Sequence, residues 1–415
     1  MNGHWDESAL MQRPIAEIAR MRSRALLVGA AGIVLAIIGM MLPHEVHEGQ
    51  PSLFWQAYLI AFIFWIGITL GSLAVLMIQH LSGGAWGLVS RRVLEASART
   101  LPLMAVLFIP IYLRLPELYV WARPDASQDP IIQQKAAYLN VPFFTVRAIL
   151  YFLIWGALVY LLTRWSKQQD EEPPMQPGPR DRRFRVVSGP GLVLFVITVT
   201  FMSVDWVMSL DPHWYSTIFG ILTIGGQGLA TMAFTILVLA ALARFQPMSG
   251  VADAERFHDL GKLMFAFVML WAYFSVSQLL IIWSADLPEE VPYYLQRLHG
   301  PWAVVSVALL LGQFALPFLL LLSRRLKRNP NAVKWVALFI LLMRAVDIAW
   351  TVGPPLRLEH APGEPAGGGL HLLDLAMVLA MGAPWLYVFF SNLAGRALVP
   401  ARDPYFKAAV AHGGH

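Results

Sequence analysis

The stretch FWQAYLIAFIFWIGITLGSLAVLMIQHLSGGAWG, residues 54–87, runs from Phe54 to Gln79 without a charged side chain. An α-helix rises 1.5 Å per residue and the hydrocarbon core of a bilayer is about 30 Å thick, so about 20 apolar residues cross it. Inside lipid the backbone must satisfy its own hydrogen bonds, which makes a run of this length a transmembrane helix.

The same reading on either side of this stretch predicts ten spans, at 25–42, 52–79, 86–112, 142–162, 188–210, 215–243, 258–284, 301–324, 332–354 and 372–395. Hydrophobic residues make up 57% of the 415 and charged residues 14%, which places the chain with all-α polytopic membrane proteins and leaves no sizeable soluble domain. Twenty-four residues, Asp6, Glu7 and Glu17 among them, precede the first span and no small-x-small cleavage site follows it. It is expected to stay as a helix and not leave as a signal peptide.

Lys and Arg orient the spans. With ten crossings, 21 of the 31 fall on one side, in the arm 1–24, the segment 163–187, the 244–262 and 324–334 connections and the tail 396–415. Five fall opposite (Arg114, Arg123, Lys135, Arg297 and Arg357), and Arg91, Arg92, Arg99, Arg147 and Arg344 lie within spans. Both termini are therefore expected to be cytoplasmic. The net charge of +5 reads as topology plus attraction to anionic membrane lipids, not as a nucleic-acid surface.

The Pro-rich, charged stretch QQDEEPPMQPGPRDRR, residues 168–183, reads as an extended linker between span 4 and span 5. A weak internal echo suggests the plan of the remainder. VDWVMSLDP, residues 204–212 in span 5, aligns with VDIAWTVGP, residues 346–354 in span 9, as Val-Asp, then Ser or Thr, then Pro. Spans four apart point the same way, so 2–5 and 6–9 would be parallel repeats. The expected organisation is a cytoplasmic arm 1–24, a peripheral span 25–42, a first four-helix bundle over 52–210, a second over 215–354, a peripheral span 372–395 and a cytoplasmic tail 396–415.

With no cysteine, thiolate-bound iron–sulfur clusters, c-type haem attachment and thiolate zinc are excluded for this chain. All eleven histidines fall in arms, loops or at helix ends, so no haem ligand and no metal site is expected within it. Ionisable residues inside the spans remain, and these are functional or paired.

Three clusters stand out. Arg91, Arg92, Glu95 and Arg99 share a face of span 3, either as an interfacial ion-pair network or as a proton entry path through Glu95. Asp205 and Arg147 lie at similar depth on antiparallel spans, either as a buried pair or, with Trp206 and His213, as a pocket for a quinol head group. Arg344 and Asp347, at i and i+3 in span 9, form an intrahelical pair or extend the proton path.

The strings at 54–87, RRVLEASARTLPLMAVLFIPIYL (91–113) and SVDWVMSLDPHWYSTIFG (203–220) resemble the F subunit of bacterial alternative complex III, related to the NrfD-like, polysulfide-reductase membrane-subunit family. The resemblance implies ten helices in two four-helix bundles within the bacterial inner (plasma) membrane. It further implies a non-redox-centre subunit of a quinol:cytochrome c or other acceptor oxidoreductase, active in electron transport and proton translocation. Menaquinol or ubiquinol would be the substrate. The implied partners are a membrane C-type subunit, an iron–sulfur protein and haem c subunits on the outer face. In the C-type subunit an embedded His and Asp serve quinol; here Asp205 matches the acid and spans 2–5 hold no embedded His. Two other classes fit the composition, a secondary transporter and a passive scaffold whose buried charges are all paired.

Overall fold

The computed structural model describes residues 15–41, 51–171, 179–357 and 369–406. The start of the expected N-terminal arm, residues 172–178 of the Pro-rich linker and the tail beyond 406 lie outside the described residues. Among those described, ten helices are long and apolar enough to cross a membrane. They are α1 (Ala16–Met41), α2 (Leu53–Ser82), α3 (Ala85–Leu113), α4 (Val141–Glu171), α5 (Arg182–Leu210), α6 (Phe219–Leu242), α7 (Ala254–Ala285), α8 (Gly300–Leu322), α9 (Pro330–Arg357) and α10 (Leu372–Ala394). The protein is an all-α, multi-pass membrane protein. Helices α4 and α7 run further toward the Lys/Arg-rich end than the apolar runs alone suggest, because Arg and Lys stems continue the helix while their heads leave the apolar zone.

Helices α2–α5 pack as one four-helix bundle and α6–α9 as a second. The seam is made by α2 against α6, with α5 also touching α6 and α9 touching α2, as a two-fold axis along the membrane normal would place them. In the two segments aligned by sequence, Ser209 Oγ donates to the Asp205 carbonyl at 2.6 Å and Thr351 Oγ1 to the Asp347 carbonyl at 2.8 Å, the i to i−4 bond that other hydroxyls of these helices also make, Thr69, Ser72 and Thr163 among them.

At the seam Gly71 lets two backbones touch. A Cβ there would sit 2.3 Å from Thr231 Oγ1 and 2.6 Å from the Gln227 carbonyl oxygen of α6. Small residues serve such approaches in membranes, where packing replaces the hydrophobic drive between helices. Gly71→Ala is expected to lower stability by about 1–3 kcal/mol through overpacking, read as a lower thermal midpoint in detergent; an unchanged midpoint would show that the seam can open.

Helices α1 and α10 lie outside both bundles, as expected, but α10 is closely bonded to α2. Trp65 Nε1 donates to the Val378 carbonyl at 2.8 Å and Trp385 Nε1 to Thr69 Oγ1 at 2.9 Å. Helix α1 packs chiefly along α10.

Two spans are irregular in mid-course, each for a local reason, and α5 ends in a 3-10 turn at Met208–Leu210. Helix α3 consists of Ala85–Ala98 and Leu101–Leu113, and its turn at Arg99-Thr100 precedes Pro102, which lacks an N–H to continue the ladder. Helix α8 carries a π-helical turn at Leu310–Ala315, and Pro317 follows two residues beyond it. The wide turn accommodates a proline that cannot bond to residue 313.

Candidate functional site

The first cluster closes on itself at the Lys/Arg-rich end. Glu95, 2% exposed, receives Arg91 Nε on Oε1 at 3.1 Å, and Arg92 Nη1 and Arg396 Nη1 on Oε2 at 2.8 and 3.2 Å. Arg91 also pairs with Asp403 at 2.7 Å, and Arg92 with Asp170. The segment after α10, residues 395–406, is thereby strapped across α3 and α4. Arg99 lies beside Glu95 and Arg396 on a void of 10 Å³, room for about one water. Three guanidiniums on one carboxylate make an ion-pair clamp and favour a structural role over a proton relay.

The second cluster is equally complete. Arg147 Nε donates to Asp205 Oδ2 and Arg147 Nη2 to Oδ1, both at 2.9 Å, and Tyr151 OH donates to Oδ2 at 2.7 Å. Asp205 is 1% exposed, and the remaining Arg147 nitrogen, Nη1, donates to the Tyr138 carbonyl at 3.0 Å. Burial, then the nearby Asp205 carboxylate, pushes the Tyr138 hydroxyl above its ordinary pKa, so it stays protonated. Trp206 is packed among Phe108, Phe62 and Phe152, with ring centroids 4.7, 5.7 and 5.8 Å away. His213 lies on the connection after α5 and pairs with Asp129 at 2.8 Å instead of joining Asp205. The four residues grouped in the sequence as a head-group pocket thus occupy a salt bridge, an aromatic core and a surface loop.

The third cluster differs. Asp347 on α9 accepts from Arg344 of its own helix, from Trp271 Nε1 of α7 at 3.1 Å and from Gln313 Nε2 of α8 at 3.1 Å. Gln313 reaches it from the π-helical turn. All three bonds fall on Oδ2; among the described residues Oδ1 accepts none. Arg344 is held flush against α6, where a Cβ on Gly226 would lie 2.4 Å from its Nη2.

Arg344 and Asp347 line a cavity of 790 Å³ formed by both repeats. Its walls are mainly apolar, with Thr223, Gln227, Ser275, Gln278, Ser306 and Thr351 as uncharged polar exceptions. Gln227 Oε1 is buried without a hydrogen-bond partner among the described residues. Tyr273, Val276, Val307 and Leu310 line the cavity and are also exposed, so it opens sideways between α7 and α8 toward lipid. None of Arg147, Asp205, Trp206 or His213 lines it.

The sequence marks Gln227 and Gln278 as uncharged polar residues at depth, with the glycines around Gln227 read as helix packing, and Gln313 and Arg297 are missed there as parts of this region. Arg297 counts in sequence only as a loop charge, yet it is 1% exposed and donates to the carbonyls of Tyr293, Trp350 and Thr351 at 2.8, 3.2 and 2.9 Å. It pins the entry of α8 to the end of α9, beside the cavity; burial lowers its pKa, and the Tyr293 face at 3.6 Å supports the cation. The signal available was the aromatic context PYYLQRLHGPW, residues 292–302.

Glu255, His258 and Asp259 gather at the start of α7 with donor atoms within 4.8 Å. Arg328 and Lys262 already pair with the two carboxylates, which leaves the group poorly suited to a metal ion. No family model matches the chain, and no curated protein matches it.

Proposed function

We propose that this chain is the integral membrane subunit of a quinol:electron-acceptor oxidoreductase of the alternative complex III type, and that it takes quinol into the cavity between α7 and α8. The observation that carries this reading is Asp347. It is a buried carboxylate with one oxygen fully bonded and the other without a partner among the described residues, on the wall of an apolar cavity open to lipid. A hydrophobic ligand with hydroxyl groups suits that site better than a soluble solute, because entry is lateral and the polar groups are few and convergent.

In this reading a quinol hydroxyl donates to Asp347 Oδ1, and Gln227 Oε1 supplies a second acceptor. Oxidation of quinol to quinone releases two protons and two electrons. Asp347 takes the two protons one at a time, releasing the first to solvent before the second leaves the quinol, Arg344 holds its charge in check while it is ionised, and the two electrons leave to iron–sulfur and haem c partners. The Lys/Arg-rich end with both termini faces the cytoplasm of a bacterium, and coupling to proton movement runs through Asp347. A second reading, a passive scaffold, is favoured by Glu95 and Asp205, whose carboxylates are both saturated by partners.

Photolabelling separates the two. A photoreactive quinone is expected to mark peptides 269–279 and 303–314 in the purified native complex, with loss of the mark under excess quinol. Redox-centre subunits are expected to co-elute. Labelling scattered over the lipid-facing surface and indifferent to quinol would leave the scaffold.

A further inference from the structure

A smaller pocket of 130 Å³ opens at the Lys/Arg-rich end, beside the turn from α2 to α3. His80, Gly84, Arg91, Arg185, Asp403 and Tyr405 line it. Four independent features make it a place for an anion with an apolar tail.

The first is backbone. Gly83 and Gly84 take φ of 70° and 97°, a left-handed turn without side chains, and the helix Ala85–Ala98 begins directly after it with no side-chain cap. Its opening N–H groups have no acceptor within the helix and carry the positive end of the dipole. The second is His80 in the pocket wall, 8% exposed, whose Nε2 is buried without a hydrogen-bond partner among the described residues. An imidazole protonated at that nitrogen donates to an anion.

The third is charge. Arg91, Arg92, Arg396, Arg402 and Arg185 gather in this corner around three carboxylates, Glu95, Asp170 and Asp403. Positive charge is in excess, and Arg185 is the exposed member, stacked over Tyr405 at 5.9 Å. The fourth is the flank. Helix α2 is enclosed along nearly its whole length, and the large apolar side chains it does expose, Ile78 and Leu81, lie one turn or less from the pocket. Val186, next to Arg185, is exposed as well.

We infer that this pocket binds the phosphate of an anionic phospholipid, with the acyl chains lying along Ile78, Leu81 and Val186. The volume holds a phosphodiester and not a whole lipid, so the tails must lie outside, where the protein offers apolar surface at bilayer depth. Bound there, the lipid joins the α2–α3 turn to the strap 395–406, and the site stands apart from the α7–α8 cavity and its ligand.

Native mass spectrometry of the purified protein tests this, with phosphatidylglycerol, phosphatidylcholine and inorganic phosphate titrated separately. One phosphatidylglycerol is expected to survive activation that strips phosphatidylcholine. Arg185→Gln and His80→Leu are each expected to weaken it about ten-fold, the loss of one charge-assisted hydrogen bond. Arg164→Gln, which removes an exposed cation of α4 outside the pocket, is expected to leave it unchanged. Since Arg185 is exposed, its variant keeps the test valid if His80→Leu does not fold. Equal retention of both lipids, or equal effects of Arg185→Gln and Arg164→Gln, would overturn the inference. Binding of inorganic phosphate with no preference for the lipid would assign the pocket to a soluble anion and overturn it too.

Discussion

Asp347→Asn is expected to lower quinol-driven electron transfer by about a hundred-fold or more, the usual contribution of a positioned general base, while the protein still assembles in the membrane. Asparagine matches the shape of aspartate and its carbonyl oxygen can still accept from Trp271 and Gln313, whose bonds to Oδ2 are both 3.1 Å. It has no basic oxygen to take a proton. It also leaves Arg344 a buried cation without its carboxylate, so some stability is lost by a route unrelated to catalysis. The double variant Arg344→Gln, Asp347→Asn removes that penalty. It is expected to recover thermal stability without recovering turnover, and a double variant that regains turnover would remove Asp347 from the chemistry. Measuring quinol oxidation and thermal midpoint on the same preparations separates the two effects.

Arg147→Ala is expected to act in the opposite manner, with a large stability loss and little change in turnover per folded molecule. The variant leaves Asp205 at 1% exposure with Tyr151 OH, at 2.7 Å, as its remaining side-chain donor. Removing one member of a buried pair costs about 3–5 kcal/mol, because the other charge stays desolvated. Arg147→Lys is expected to rescue only part, since an ammonium cannot make the two parallel bonds to Oδ1 and Oδ2. Thermal unfolding in detergent and the protein level in membranes report the loss. A stable Arg147→Ala protein with impaired quinol oxidation would instead move the reactive site to the first repeat.

These opposite expectations concern two aspartates that the Val-Asp frame aligns in the sequence. The Val-Asp frame and the following Ser or Thr were legible because a back-bond from i to i−4 is a property of one helix, and both hydroxyls make it. The Arg344–Asp347 pair was legible for the same reason, at i and i+3 of one helix. Arg147 and Asp205 could be matched by depth, since antiparallel neighbours share a membrane level. Trp206 and His213 could not be placed this way, because rotation about the helix axis and the fold of a loop decide what they face.

Ten crossings, the helical class and the uneven sides of the chain follow from sequence alone, since lipid forces each long apolar run to satisfy its own backbone and charge to stay at the ends. Which acid can react does not follow. Glu95, Asp205 and Asp347 are alike as buried carboxylates beside arginine, and the difference lies in partners brought from other helices: Arg396 from beyond α10 to Glu95, Tyr151 to Asp205, and Gln313 from a π-helical turn to a single oxygen of Asp347. Only the packing of six helices around a shared void leaves the other oxygen of Asp347 open to a ligand, because a cavity belongs to the surfaces that enclose it and to no one segment of the chain.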